Sequence, residues 1–195
     1  MYQKSITNDE IKELPLLRFE GRIHLIDDQK EALTILNELQ YEQVLGFDTE
    51  KKPTFVKGQY HHTALVQLST VEEAFLFRLN VLGFFDALKK LMSSASVLKV
   101  GISIADDIKA LQKMSNFQPQ GFVELNEVVK DLEITNMGVR KLAGIFLGGR
   151  ISKNQQTSNW ENPELTKAQQ TYAATDAWVC SKIYSDLESK GFLYD

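Results

Sequence analysis

Val44-Leu45-Gly46-Phe47-Asp48-Thr49-Glu50, the stretch VLGFDTE at residues 44–50, decides how this chain folds. Its first four residues carry no charge and no polar side chain, and such a continuous apolar run reads as a strand covered on both faces, in the middle of a sheet. The run ends in two acids. In a strand, residues two apart point the same way and lie about 6–7 Å apart, so Asp48 and Glu50 share a face. A lone D-x-E triplet is ordinarily a pair of solvated strand-end acids. Here the acids border a core, where carboxylates stay ionised only beside cations. A hard divalent ion is the natural partner for such oxygens.

Working outward, RIHLI (22–26) reads as a strand. DDQKEALTILNELQ reads as a helix capped by Asp28, with Ala32, Leu33, Ile35, Leu36 and Leu39 as its apolar positions. TALVQLS and AFLFRL flank the turn-like TVEE and predict a hairpin. VLGFFDALKKLMSS predicts a helix, VLKVGIS a buried strand, ADDIKALQKM a helix and FVEL a short strand. The chain then turns helical through LNEVVKDL, through MGVRKLAGIFLGG, which Gly148 and Gly149 stop, and through a long helix from about Glu164 to Lys190. This order implies an α/β fold, a mixed β-sheet flanked by helices on both faces. Ligands of such sheets bind beyond the carboxyl ends of the strands, which directs attention to the end of the 44–48 run.

Two further groups of acids join the first. Tyr172 and Asp176, in YAATDAW, are four apart and share one helix face. The pair alone would suit an amphipathic surface helix, but Ala173, Ala174 and Ala177 around it permit close approach to a neighbour. In KVGISIADDIKAL, Asp106 and Asp107 open a helix, where the helix dipole favours acids. Helix physics does not choose between them.

A chain of 195 residues, 43% apolar, fits one domain with one core. The first dozen residues read as loosely held. Charges in the first twenty residues interrupt the apolar stretch a secretory leader requires, and no run reaches the roughly twenty apolar residues of a membrane span. The expectation is a soluble, cytoplasmic chain with no membrane partner. The single cysteine, Cys180, excludes an internal disulfide and reads as a packing residue. A net charge of −4 argues against indiscriminate coating of nucleic acid, which depends on Lys and Arg. It leaves room for a carboxylate site whose charge bound cations cancel.

Together, GFDTE with the downstream ALVQLS, KVGISIADDIKAL, and QTSNWENPELTKAQQTYAATDAW resemble the DEDDy group of 3′ to 5′ exonucleases in the ribonuclease H-like superfamily. The likeness is closest to the Werner-syndrome type exonuclease domain, with ribonuclease D more distant, and it covers about residues 20–190. The resemblance implies an N-terminal extension over 1–20 and an exonuclease domain over 21–195. It implies catalysis by Asp48, Glu50, Asp107, Tyr172 and Asp176, with the four carboxylates binding two divalent cations, Mg²⁺ or Mn²⁺. Asp48 would bridge the ions, Glu50 and Asp176 would complete one site, and Asp107, which falls on the motif position in preference to Asp106, would support the other partly through water. Two such ions activate a water and stabilise the leaving 3′ oxygen. A tyrosine of ordinary pKa, about 10, is a poor base at neutral pH, so Tyr172 is assigned to positioning the water.

The implied partner is a nucleic-acid 3′ end, DNA or RNA, from which nucleoside 5′-monophosphates are released. The alternatives are an exoribonuclease processing RNA 3′ ends and an inactive nucleic-acid-binding module of the same fold. A helicase or repair partner would be another chain. Many relatives carry an aromatic residue after the first motif, where this chain has Lys51, Lys52 and Pro53. KKPTFVKGQYHH reads either as a basic lip holding the terminal nucleotides, with Thr49, Lys51 and Lys52 as substrate contacts, or as a solvated loop. His61 and His62 are expected to face solvent. Arg150 and Lys153, with Arg140 and Lys141, are candidate phosphate contacts or plain surface charges, and Trp160 reads as a packing residue.

Overall fold

A computed structural model of the chain describes residues 2–193; Met1, Tyr194 and Asp195, which the 1–20 and 21–195 division includes, lie outside the described residues. The elements in chain order are α1 (Asn8–Glu13), β1 (Arg22–Ile26), α2 (Gln29–Leu39), β2 (Val44–Lys51), β3 (Thr63–Ser69), β4 (Glu73–Arg78), α3 (Leu79–Leu82) and α4 (Asp86–Met92). They continue with β5 (Leu98–Gly101), α5 (Ala105–Met114), β6 (Phe122–Glu124), α6 (Leu125–Val128), a 3-10 turn (Val129–Leu132), α7 (Val139–Leu147) and α8 (Lys167–Ser189). The strands form one sheet in the order β1-β4-β3-β2-β5-β6. β3 runs antiparallel to both neighbours, and the other pairings are parallel. This is the mixed α/β sheet expected from the sequence, with β2 inside it and β3–β4 as the hairpin.

The pleat of β2 divides the molecule. Leu45 and Phe47 face a large apolar layer with Ile35, Leu36 and Leu39 of α2, Leu88 and Met92 of α4, and Leu111 of α5. Gly46, Asp48 and Glu50 point to the opposite face, under α8. A side chain on Gly46 would collide there, because its Cβ would lie 1.9 Å from the Ala177 carbonyl oxygen. Hence α8 lies with its backbone almost against β2, and the row of Ala173, Ala174 and Ala177, all buried, makes that approach possible. Two neighbouring clusters complete this face: Val100, Leu142, Val179 and Ile183 below the end of α8, and Leu65, Leu76, Trp160 and Ala173 near its start.

Caps behave as the sequence predicts. Asp28 accepts from the Glu31 amide, and Gly148 ends α7 in the left-handed region at φ 62°. α8 starts later than expected, after Thr166, whose hydroxyl and the Gln169 side chain form a reciprocal capping box.

Four expectations need correction. The single helix over VLGFFDALKKLMSS is two short ones, because Gly83 closes α3 at φ 70° and the chain restarts after Phe85. Leu33 is 43% exposed, on the outer side of α2. LNEVVKDL tightens after Val128 into the 3-10 turn. The first residues are not loosely held: α1 carries a capping box at Thr7, Ile6 and Ile11 are buried, and the Ile6 carbonyl accepts from Lys141 Nζ at 2.5 Å. Local sequence cannot show these long-range partners.

The Gly46 contact gives a direct test. Gly46→Ala overpacks the β2–α8 interface and should cost about 2 kcal/mol or more, lowering Tm by roughly 4–8 °C in a chain of this size. An unchanged melting curve would mean that α8 does not lie this close to β2.

Candidate active site

At the carboxyl end of β2 the two faces of the sheet meet. Asp48 and Glu50 reach toward α8, which brings Asp176 to meet them because it precedes the contact residue Ala177. One carboxylate oxygen from each of the three residues lies within 4.8 Å of the others. Asp176 is only 6% exposed, and Asp48 and Glu50 are half-buried. The Thr49 amide donates to Asp48 Oδ1 at 2.9 Å and fixes one of its oxygens.

Burial and mutual repulsion dominate the electrostatics. Burial pushes Asp48 well above the ordinary carboxylate range, and the charges of Asp176 and Asp107 push it further. Glu50 is pushed up to about 10 by burial and then by Asp48, Asp176 and Asp107. Burial raises Asp176 to about 7, while the neighbouring Tyr172 hydroxyl opposes the rise. Burial, followed by the charges of Asp176 and Glu50, raises Tyr172 far above its usual value, so its proton stays in place at neutral pH. Among the described residues no cationic side chain offsets the charges of Asp48, Glu50 and Asp176. Like charges this close do not all ionise unaided. A hard divalent cation fits the group: three oxygen donors converge, with no thiolate or imidazole among them.

Asp107 stands apart from this trio. It comes from the first turn of α5, on the other face of the sheet, and accepts a short hydrogen bond from the Thr49 hydroxyl. Asp106 is exposed and pairs with Lys109 at 3.3 Å, so Asp107 is the one turned inward. The bend that presents it is held by a residue the sequence did not single out. Glu124 accepts from the amides of Ser103 (2.9 Å), Ile104 (3.0 Å) and Asn126 (3.0 Å), with Ser103 in the left-handed region at φ 63°. A second unflagged residue is Gln67, a buried amide directly opposite Asp48 in the β2–β3 register. Its signal was in the sequence, as a polar residue inside the otherwise apolar ALVQL.

The residues proposed for the substrate path scatter. Thr49 spends its hydroxyl on Asp107. Lys51 is exposed near Asp107, whose pKa burial raises against the opposing Thr49 hydrogen bond and Lys51 charge, and Lys52 pairs with Glu161 at 3.5 Å. Glu161 also meets His61 Nδ1 at 3.2 Å, so His61 is largely covered, against expectation, while His62 faces solvent as expected. Between these anchors the 52–62 loop exposes Phe55, Val56 and Tyr60. Arg150 donates through Nε to the Leu14 carbonyl at 3.0 Å and holds the N-terminal segment. Lys141 is spent likewise on Ile6, and Lys153 lines a shallow depression with Asn8 and Arg140. Trp160 is fully buried, 6.0 Å from the Tyr172 ring between centroids, a packing residue as read. Cys180 is buried as well.

Beside the trio opens a cleft of about 430 Å³, lined by Leu16 and Arg18, by Ile151 and Ser152, and by Lys167, Tyr172 and Asp176 of α8. Its walls come from three stretches remote in sequence, which is why no local motif announced it. Among the described residues no helix is long and apolar enough to cross a membrane.

Comparison with known proteins agrees with this geometry. The chain is 30% identical to the bifunctional 3′-5′ exonuclease/ATP-dependent helicase WRN of Mus musculus over 97% of its own length and 14% of that protein. It is 26% identical to the exonuclease mut-7 homolog of Aedes aegypti over 88% of this chain and 27% of that one. It thus spans about a quarter or less of these relatives. The crystal structure of the Aedes aegypti Nibbler EXO domain superposes with a TM-score of 0.79 at 26% identity, covering 90% of this chain and 91% of that one. Residues 23–191, nearly the whole of the sheet and its helices, match the family described as 3′-5′ exonuclease, and the chain belongs to that family.

Proposed function

We propose that this chain hydrolyses the 3′-terminal phosphodiester bond of a DNA or RNA strand and releases nucleoside 5′-monophosphates. In this reading Asp48, Glu50, Asp107 and Asp176 hold two divalent cations, Mg²⁺ or Mn²⁺, and residues 21–195 form the exonuclease unit. The observation that carries it is the convergence of Asp48, Glu50 and Asp176, with no neutralising cationic side chain among the described residues, in a chain of the 3′-5′ exonuclease family. When bound, such cations neutralise the carboxylates and supply the Lewis acidity that phosphodiester hydrolysis needs.

The chain's own groups do the rest. Asp48 and Glu50, fixed on a strand, and Asp176, fixed on a buried helix, set the donor positions before substrate arrives. Rigid elements hold such positions more accurately than loops do. Tyr172, whose pKa burial raises, keeps its proton at neutral pH and orients the attacking water by hydrogen bond. Thr49 holds Asp107 at the strand edge, consistent with a role partly through water. The cleft beside Tyr172 is wide enough for a nucleotide, and Arg18 and Lys167 on its walls offer phosphate contacts.

Asp48→Asn should reduce Mg²⁺- or Mn²⁺-dependent shortening of a labelled oligonucleotide at least about 100-fold, beyond the loss of an outer-shell partner. A folded variant that still degrades the strand at the parent rate would sink the site assignment. Digesting single-stranded DNA, recessed duplex DNA and RNA in parallel identifies the preferred strand. If no strand is shortened in either metal, the exonuclease reading fails and the binding-module alternative stands.

The raised carboxylates set the pH dependence of the metal-free chain. Their folded pKa values exceed the unfolded ones, so between the two the native state binds more protons and stability falls as pH rises. The decline begins near the unfolded values, about 4, continues through Asp176 near 7, and extends toward Glu50 near 10. Thermal scans without metal should show Tm falling from pH 5 to 8. Saturating Mg²⁺ should raise Tm more at pH 8 than at pH 5.5, because fewer protons must leave. Equal metal-induced shifts at both pH values would contradict cation binding by this trio.

A further inference from the structure

Gln67 is fully buried in the centre of β3, and both its Oε1 and Nε2 are sealed from solvent without a hydrogen-bond partner. Buried amides are almost always satisfied, and one left open calls for an explanation. Its surroundings narrow the choice. Along β3 on the same face lie Leu65, which is apolar, and Ser69, whose hydroxyl is engaged with the Thr70 and Glu73 carbonyls at 2.6 and 3.1 Å. Across on β4 its register partner is Leu76. Above, α8 covers this part of the sheet with Ala173, Ala174 and Ala177, which have no side-chain donor or acceptor. Across on β2 the register partner is Asp48. Directly opposed residues share a face with Cβ atoms about 4.5–5.5 Å apart, while the diagonal neighbour, here Glu50, lies about 7–8 Å away. Asp48 is thus the adjacent side chain in this row with accepting capacity to spare, since the Thr49 amide occupies only one of its oxygens.

We propose that Gln67 is a positioning residue for Asp48: its buried amide donates to the Asp48 oxygen that faces the sheet when the carboxylate is ionised around a cation, locking the ligand's rotamer. This rests on the reading of Asp48 as a metal ligand. Gln67 touches neither substrate nor cation; it acts through Asp48 from behind. With Thr49 N on one side and Gln67 Nε2 on the other, Asp48 keeps lone pairs free only toward the site. Partners of this kind orient ligands and raise metal affinity, and their loss typically costs 10–100-fold.

Side-chain amide NMR of the parent chain tests this without any substitution. Titrating Mg²⁺ should shift one Gln67 Nε2 proton downfield as the site fills, and a resonance unmoved at saturation would overturn the proposal. Gln67→Met keeps the volume and removes the amide. It should fold with Tm equal to or above the parent's, bind Mn²⁺ about 10–100-fold more weakly by calorimetry, and lose a comparable factor in kcat with little change in KM. In a double-mutant cycle, Asp48→Asn should erase the effect of Gln67→Met on Mn²⁺ affinity. Parent-like Mn²⁺ affinity and kcat in a folded Gln67→Met variant would remove the role of Gln67 alone. A parent chain without metal-dependent hydrolysis would remove the reading of the site, and this proposal with it.

Discussion

The contact between Gly46 and the backbone of Ala177 is the constraint on which the rest of the molecule depends. A carboxylate on a helix joins two on a strand only if the helix lies closer to the sheet than ordinary side chains permit. Glycine on the strand and alanines on the helix remove the intervening atoms. The approach is then clamped at the edges. The Phe19 amide donates to Thr175 Oγ1 at 2.9 Å, Trp178 Nε1 to the Val71 carbonyl at 3.1 Å, and Ser181 Oγ to the Thr70 carbonyl at 3.2 Å. These bonds tie α8 to the N-terminal segment and to the β3–β4 turn, so Asp176 cannot slide along the strand without breaking several of them.

That arrangement works against the metal-free fold. Three carboxylates are drawn into a site where burial and repulsion disfavour their charges, and an unsatisfied amide lies next to them. The opposite face of the sheet supplies the compensation, a layer of Leu45, Phe47, Phe77, Leu88 and Met92, beside which the buried Lys99 donates its Nζ to the Ser94 and Val97 carbonyls. The two-residue period of β2 thus sets the trio on one face and the large apolar layer on the other. Functional sites commonly break local rules of good packing in this way. Here the violations gather at the carboxyl end of β2, which Asp107 reaches from the other face through Thr49.

What the sequence disclosed follows this division. Periodicity exposed β2, the β3–β4 hairpin, the Asp28 cap and the stacking of Tyr172 on Asp176, because each depends on residues near in sequence. Spacing placed Asp48 and Glu50 on one face, and the alanines around Tyr172 pointed to a close helix approach. The resemblance to a nuclease family then singled out Asp107. What stayed hidden depends on partners far along the chain. That Arg150 donates through Nε to the Leu14 carbonyl could not be read locally. His61 looked exposed but meets Glu161. The N-terminal residues looked free but dock on α7 through Ile6 and Ile11, whose side chains lie against Gly144. Gln67 was visible as a polar interruption, yet its meaning appears only when the register sets it opposite Asp48.

The same division extends to the proposed substrate side. The carboxylates sit on β2, α5 and α8, regular elements whose hydrogen bonding fixes them before any ligand arrives. The cleft beside them is walled by irregular segments, residues 16–18 and 151–155, against the first turns of α8. The segments hold each other, since the Leu17 amide donates to the Arg150 carbonyl at 2.8 Å and the Arg150 amide to Pro15 at 2.9 Å. Arg150 therefore shapes this wall from behind, while Arg18 and Lys167 line the cleft. Loops vary and rearrange more readily than the elements they connect. A change in the wall would alter which strand end enters while leaving the carboxylates where β2 and α8 put them. On this view, reaction and substrate choice are encoded in separate parts of the chain, the first in its periodic segments and the second in the long-range pairing of its loops.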